Sequence, residues 1–159
     1  FHSAKRGQPA DPPIIEAIIP SVLDPELIDT RGHHVMSFLC KYMPYDLSGG
    51  RSWDDEKGRI VQGIFSYVER FIPRLRDITV GYQCLTPLDL ERMLGMTRGD
   101  ICHGRLEPDQ LFNMRPHPDA AQYATPVTGL YLCGSGAHPG GGVTGAPGHN
   151  AARRILKDA

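Results

Sequence analysis

The stretch Gly129-Leu-Tyr-Leu-Cys-Gly-Ser-Gly-Ala-His-Pro-Gly-Gly-Gly-Val-Thr-Gly-Ala-Pro-Gly-His-Asn-Ala-Ala152 decides how this chain is expected to fold. It opens with an apolar run, Leu130 to Cys133, which is bounded by glycines and predicts a buried strand covered on both faces. A loop with seven glycines from Gly134 to Gly148 follows. The segment Ala151 to Lys157 then predicts a helix with basic residues near its end.

A loop with so few side chains either turns very sharply or lets something flat lie against its backbone. No acidic residue lies between Gly134 and Lys157. Free backbone N–H groups and the positive end of a helix would therefore suit an electron-rich or anionic ligand. A tight turn without a ligand is the alternative.

Two common nucleotide-binding motifs do not fit the loop. In Gly134-Ser-Gly-Ala-His-Pro139, proline stands where the fingerprint G-x-G-x-x-G needs its third glycine. The acidic residue that this fingerprint needs about 20 positions further on is also missing from the sequence. A P-loop is excluded because no Gly-Lys-Ser/Thr follows the glycines.

The pattern Gly134-Ser-Gly136-Ala-His138-Pro-Gly-Gly-Gly-Val143-x-Gly145 resembles the C-terminal flavin-contacting motif of the phytoene desaturase branch of FAD-dependent oxidoreductases. In that family the main FAD fingerprint lies near the N-terminus of a much longer chain, and it is absent here. The resemblance implies a C-terminal fragment whose partner is the missing N-terminal portion of the same protein. A start at Phe1, without methionine, fits this expectation.

The resemblance also implies that FAD is the cofactor and that backbone N–H groups of Gly140 to Val143 stabilise negative charge on the flavin. His103 and His138 are candidates for acid–base catalysis, because histidine exchanges protons near neutral pH; the catalytic residues are otherwise unknown. The residues expected to contact the cofactor are Gly134, Ser135, Gly136, His138, Pro139, Gly140, Gly141, Gly142 and Val143.

The segment Gly99 to Pro116 predicts a long ordered loop, and its G-x-x-x-H-G and D-Q-L-F-x-x-R-P elements resemble the same family. Loops held by a rigid scaffold often carry binding residues. Gln110 and Arg115 are therefore candidates for the substrate side of the site. An equally good interpretation is that Arg115 has a structural role and binds carboxylate side chains of the protein.

Composition narrows the class of protein. The chain has 159 residues, 40% hydrophobic and 22% charged, with a net charge of -1, which is typical of a globular protein and indicates no nucleic-acid partner. No apolar stretch reaches the roughly 18 residues that a transmembrane helix needs, while peripheral membrane contact stays open. The compartment is undetermined: cytoplasmic for a bacterial protein, mitochondrial for an animal one.

The widely spaced cysteines form no C-x-x-C pair, so we expect reduced, mostly buried thiols and no metal site. Cys133 in particular is expected to be buried and inert. We expect neither Cys133 nor Ser135 to act as a nucleophile. The cysteines are Cys40, Cys84, Cys102 and Cys133.

The rest of the chain is interpreted from periodicity and turn chemistry. His33 and His34 are expected to be structural, and residues 117 to 122 to form an exposed link. The other predictions are a frayed end over residues 1–12, an antiparallel strand pair 13–20 and 34–43, a helix from Ser52 to a stop at Pro73, a strand Ile78 to Leu85, and a helix capped by Thr86 that ends before Gly95.

Together these patterns predict an α+β chain cut from an α/β parent, with a mixed, mostly antiparallel substrate-domain sheet and helices. Residues 1–116 are assigned to the substrate-binding domain and residues 117–159 to the strand-loop-helix of the FAD-binding domain. The implied reaction is dehydrogenation, desaturation or isomerisation of a small apolar, isoprenoid-like substrate. The fragment alone is expected to be inactive. The alternative is a non-catalytic interaction domain that binds no flavin.

Overall fold

The computed structural model describes residues 1–104 and 106–159. These residues form two compact units, Phe1–Asp89 and Leu90–Ala159. Helices and a two-stranded antiparallel sheet make up the regular structure that is described, so the α+β class is confirmed. The assignment of residues 1–116 and 117–159 to a substrate domain and an FAD domain stays a prediction.

The sheet of the first unit joins strand β1, Ile14–Ile18, to strand β2, Ser37–Lys41, in antiparallel register. This is the strand pair predicted from the sequence. Ile15 lies opposite Cys40 and Ala17 opposite Phe38, so these four side chains share one face. Ile15 and Phe38 pack against the helical core of the unit, which fixes the side of the sheet that is covered.

The N-terminal segment was predicted to be frayed, and this is wrong. It forms helix α1, His2–Lys5, and the amide of Ser48 donates to the carbonyl of Gly7 at 2.8 Å. Gly7 has φ +70°, and a Cβ there would lie 2.7 Å from the Ser48 nitrogen. Only glycine therefore lets the segment pack this closely.

The main helix of the first unit, α2, spans Trp53–Val68. As predicted, Ser52 caps it, and its hydroxyl accepts from the amide of Asp54 at 3.1 Å. The helix ends before the predicted stop at Pro73. Its apolar face supplies most of a core cluster made of Val61, Phe65, Val68 and Leu75.

A short helix α3, Leu75–Ile78, follows, and residues 79 to 86, all described, form no strand. The strand predicted over Ile78 to Leu85 is therefore wrong. Val80 and Tyr82 are 77% and 62% exposed, so the apolar residues that suggested a strand have no neighbouring strand to cover them.

Helix α4, Pro87–Leu94, begins and ends as predicted. The hydroxyl of Thr86 accepts from the amide of Asp89 at 3.1 Å, and the Asp89 carboxylate accepts from the Thr86 amide at 2.8 Å, which is a capping box. Lys57 donates to the same carboxylate at 2.8 Å. The Lys57 hydrogen bond, followed by those from Thr86, lowers the pKa of Asp89 to about 2.

The second unit is built mainly from short 3₁₀ turns and from helix α5, Ala146–Asp158. The helix begins before the predicted Ala151, because Pro147 fits its first turn. The link over residues 117 to 122 is not simply exposed, since Ala120 and Ala121 are buried. The turns span Thr97–Gly99, Pro108–Gln110, Phe112–Met114 and Pro118–Ala120.

The buried strand predicted over Leu130 to Cys133 is wrong for the described structure. Tyr131 forms an isolated antiparallel bridge with Ala124, Leu130 is 50% exposed, and Cys133 is exposed. A buried strand inside a sheet has neighbouring strands along its edges and packed layers on its faces, and among the residues described only this bridge flanks the run. Across the same residues, 1–104 and 106–159, no helix is both long and apolar enough to cross a bilayer.

Replacing Asp89 by Asn should destabilise the first unit by about 1 kcal/mol at neutral pH, because the capping carboxylate is lost. The folded pKa of Asp89 is about 2, below its ordinary 3.8, so the carboxylate stabilises the fold above pH 3.8 and this contribution disappears as the pH falls through 2. Denaturant unfolding across this range measures the difference. Asp11→Asn, at an exposed residue, is the control. If the difference in the free energy of unfolding between wild type and D89N does not shrink in acid, the stabilising role of the Asp89 carboxylate is contradicted.

The cysteines should differ in reactivity towards a thiol-alkylating reagent. All four are free, and Cys133 is exposed, which corrects the expected burial. Burial, chiefly, raises the pKa of Cys40 and of Cys84, and the thiolate is the reactive form. Mass-spectrometric labelling in the native state should therefore modify Cys133 well before Cys40 and Cys84. The fast phase should vanish in Cys133→Ser; its persistence would show that another thiol is the accessible one.

Candidate ligand-binding site at the glycine loop

The glycine loop, residues 134–145, folds as two successive turns. The amide of Ala137 donates to the carbonyl of Gly134 at 3.0 Å, and the amide of Gly140 donates to the carbonyl of Ala137 at 2.8 Å. Gly140, Gly142 and Gly145 have φ of +106°, +118° and +66°. Residues with a Cβ rarely adopt such angles, so the backbone path favours glycine at these three positions, most strongly at Gly140 and Gly142.

The outer part of this loop carries unused hydrogen-bond donors. Gly141, Gly142 and Val143 are exposed, and none of their amides donates to an acceptor among residues 1–104 and 106–159. They directly precede α5, where Thr144 caps the amide of Ala146 at 3.2 Å. Consecutive free N–H groups before a helix can bind an electron-rich or anionic group.

Beneath the loop lies Arg115, whose side chain is almost fully buried, with 1% of the residue exposed. Its Nη2 donates to the carbonyls of Ser135 at 3.0 Å, of His103 at 3.4 Å and of Cys102, and Nη1 reaches that of Gln110 at 3.5 Å. Arg115 is thus a clamp, though of backbone carbonyls and not of carboxylates. Its Nε is buried and has no partner among the described residues.

Two glycines with positive φ lie against this arginine, and a Cβ on either of them would be in ordinary van der Waals contact with it. A Cβ at Gly140 would lie 3.5 Å from Arg115 Nε and 3.7 Å from Leu106 Cδ2. At Gly104 it would lie 3.7 Å from Arg115 Nη1. Gly140, expected to contact a cofactor, is itself buried and packs against the guanidinium. Nothing in the sequence pairs Arg115 with Gly140, so this relation is visible only in the fold.

A second contact holds the middle of the glycine loop from the other side. The hydroxyl of buried Tyr123 donates to the carbonyl of His138 at 3.0 Å, and the side-chain amide of Asn150, on α5, donates to that hydroxyl at 2.8 Å. Tyr123 packs in a small core with Ala137 and Ala151. Neither Tyr123 nor Asn150 was predicted as a site residue, because neither belongs to a motif.

The remaining candidates lie around these contacts. The ring of His138 is half-buried and its centroid is 6.0 Å from that of Phe112. His103 is exposed, and its Cβ would be 3.9 Å from a Cβ placed on Gly136. The side-chain amide of Gln110 donates to the carbonyl of Asp109 at 3.1 Å. The structure therefore brings His103, Arg115 and the loop together, while the catalytic and substrate roles stay predictions.

The outer face of the loop also determines what else the site could hold. Gly134 and Pro139 are exposed, while Ser135 and Gly136 are half-buried. Within the described part of the chain, no group of three or more His, Cys, Asp and Glu side chains is placed to bind a metal ion. The donors that the loop offers are backbone amides, which suit an organic or anionic ligand.

Comparison with known proteins gives a consistent result. The chain is 48% identical to pyridine nucleotide-disulfide oxidoreductase domain-containing protein 2 of Rattus norvegicus, over 99% of this chain and 27% of the relative. It is 34% identical to one of the subunits of limonene dehydrogenase from Castellaniella defragrans, over 73% and 21%, and 30% identical to the lycopene-forming phytoene desaturase of Pantoea ananas, over 70% and 22%. No family model and no solved structure matches the chain.

The chain thus spans about a quarter of the length of the curated relatives that it matches. The resemblance seen in the glycine-loop motif extends, in the rat and mouse proteins, over almost all of these 159 residues. The chain is therefore a relative of pyridine nucleotide-disulfide oxidoreductase domain-containing protein 2, with weaker similarity to the phytoene desaturases.

Proposed function

We propose that this chain forms one side of the flavin site of an FAD-dependent oxidoreductase. The observation that carries the proposal is the run of unpaired amides at Gly141, Gly142 and Val143. The names of the relatives, which include an oxidoreductase-domain protein, a dehydrogenase and a desaturase, support the same class of reaction.

The chemical groups of the glycine loop are complementary to those of a flavin. The pyrimidine edge of the ring system is rich in acceptors, and the free N–H groups of the loop are the complementary donors. Arg115 adds a buried positive charge beneath Ser135 and Gly140. The residues that would hold the cofactor are Gly141, Gly142 and Val143 through their amides, and Gly134, Ser135, Gly136, His138 and Pro139 through close backbone approach.

A bound flavin would supply the capacity to accept two electrons from the substrate, which protein side chains lack. The chain's own contribution is binding and orientation. Its amides stabilise negative charge at the ring edge without rearranging, because the turns at Ala137 and Gly140 are already formed. His138 and His103, both beside the loop, are the residues we propose to hold or release a proton.

For the substrate we propose a small apolar molecule of isoprenoid type. Two relatives carry limonene and phytoene in their names, and both compounds are hydrocarbons with no group for a salt bridge. Such a substrate would be held by burial of apolar surface. Gln110 and Arg115 contribute little to the direct binding of such a substrate. The side-chain amide of Gln110 donates to the neighbouring carbonyl of Asp109, and Arg115 is buried beneath the carbonyls that it binds.

In the protein that carries this chain together with its upstream sequence, Gly142→Val should strongly reduce flavin retention. Gly142 has φ +118°, and a β-branched residue there would displace the neighbouring amides. At Gly141 φ is not positive, so Gly141→Val should act only through the volume of its side chain and reduce retention less. The flavin absorbance per protein after gel filtration gives the result.

The matched control is Gly32→Val, at an exposed glycine with φ +83° and open space around its Cα. It also places a β-branched residue at a positive φ, but away from the glycine loop. If G142V keeps its flavin as well as G32V does, the loop is merely a turn and the non-catalytic interaction domain becomes the better interpretation.

Residues 1–159 purified alone should hold FAD only weakly. We propose that the contacts to the phosphates and ribose come from a missing N-terminal portion, because this sequence contains no dinucleotide fingerprint. The purified chain should be colourless after gel filtration. Stoichiometric yellow flavin bound to residues 1–159 would contradict this division of the site.

A further inference from the structure

We propose that Arg115 is a positioning residue for the glycine loop, acting from beneath through backbone carbonyls without touching the ligand. The inference rests on the proposed function, because the ligand in question is the flavin edge. It differs from the expectation that Arg115 contacts substrate. It also goes beyond a purely structural clamp, because it assigns the arginine an effect on the electrostatics of the ligand.

The contacts show why this position needs arginine. One guanidinium reaches carbonyls at Cys102, His103 and Gln110 and, across the loop boundary, that of Ser135. A planar fork with five donors can serve several acceptors at once, whereas lysine presents a single compact ammonium. The backbone at Cys102, His103 and Gln110 is therefore joined to the glycine loop through one side chain.

Burial gives the charge its effect. Only 1% of Arg115 is exposed, and the ion pairs found among the described residues do not include it. A buried cation that is balanced only by carbonyl dipoles keeps its long-range field, because screening by water is weak there. The guanidinium lies directly beneath the loop at Gly140, where a Cβ built on the glycine would be 3.5 Å from Arg115 Nε.

The loop would lose only one of its two anchors if Arg115 were replaced. Tyr123 and Asn150 hold the carbonyl of His138 independently. The effect of a change at Arg115 should therefore be confined to residues near Ser135 and Gly140. Helix α5, anchored to the loop through Asn150, should keep its structure.

The test compares Arg115→Lys and Arg115→Met with the wild type in the protein that carries this chain and its upstream sequence. Arg153→Met is the matched control, because Arg153 is exposed on α5. Hydrogen exchange without flavin is measured in peptides that cover residues 134–142 and residues 148–158. FAD affinity and the midpoint potential of the bound flavin are then measured at saturating FAD.

Both Arg115 variants should exchange faster than wild type by about tenfold in residues 134–142 and should be unchanged in residues 148–158, since a local set of hydrogen bonds is lost. The Kd for FAD should rise by about tenfold in both. The midpoint potential should become more negative in R115M, where the charge is gone, and stay near that of wild type in R115K. R153M should match the wild type in every measurement.

The proposal is overturned if loop exchange is unchanged in both variants, or if exchange accelerates equally in residues 148–158. It is also overturned if R115K, the milder change, fails to fold, because Arg115 would then support the whole unit. If R115M fails to fold but R115K folds, the measurements on R115K decide the positioning role. An unchanged potential in a folded R115M would remove the electrostatic part. A wild-type protein that binds no FAD would instead refute the proposed function, and the exchange data would still decide the positioning role.

Discussion

A buried guanidinium needs acceptors for its N–H groups, and the second unit supplies backbone carbonyls from two separate segments to the Nη groups of Arg115. This requirement joins Cys102, His103 and Gln110 to the glycine loop. Gly140 lies against this guanidinium, and it is the φ of +106° that favours glycine at this position. The glycine loop is therefore held by an arginine that lies 20 residues before Ser135 in the chain.

The glycines of the loop serve two different purposes. Gly140 is buried and packs against Arg115 at φ +106°, whereas Gly142 is exposed and adopts φ +118°. The first purpose is internal packing, and the second leaves the outer amides free of side chains that would cover them. One face of the loop is thus committed to the protein and the other is open to a ligand. A glycine-rich motif alone does not separate these purposes.

Local signals predicted much of the fold. The caps at Ser52 and Thr86 and the paired strands β1 and β2 follow from short-range chemistry, and the structure has all of them. Predictions failed where partners decide the outcome. The run Leu130 to Cys133 has one bridge in place of a sheet, and residues 79 to 86 have no strand to pair with. An apolar run shows what could be buried but not whether a neighbour exists.

For the site, the motif identified the loop, but its supports were invisible. Arg115 was expected either to contact a substrate or to clamp carboxylates, and its carbonyl partners at Cys102 and Ser135 carry no sequence signature because any residue has a carbonyl. The same holds for Tyr123 and Asn150, whose hydrogen bonds depend on tertiary placement. Side-chain motifs can be found in a sequence, whereas contacts to the backbone appear only once the chain is folded.

The most direct test of the account is amide hydrogen exchange at Gly141, Gly142 and Val143 in the flavin-loaded and flavin-stripped forms of the protein that carries this chain. These amides have no acceptor in the part of the chain that the structure describes, so they should exchange rapidly without flavin and become protected when it binds. Peptides from α2 serve as the internal reference and should not change. Flavin binding that leaves these three amides as exchangeable as before would contradict the central claim.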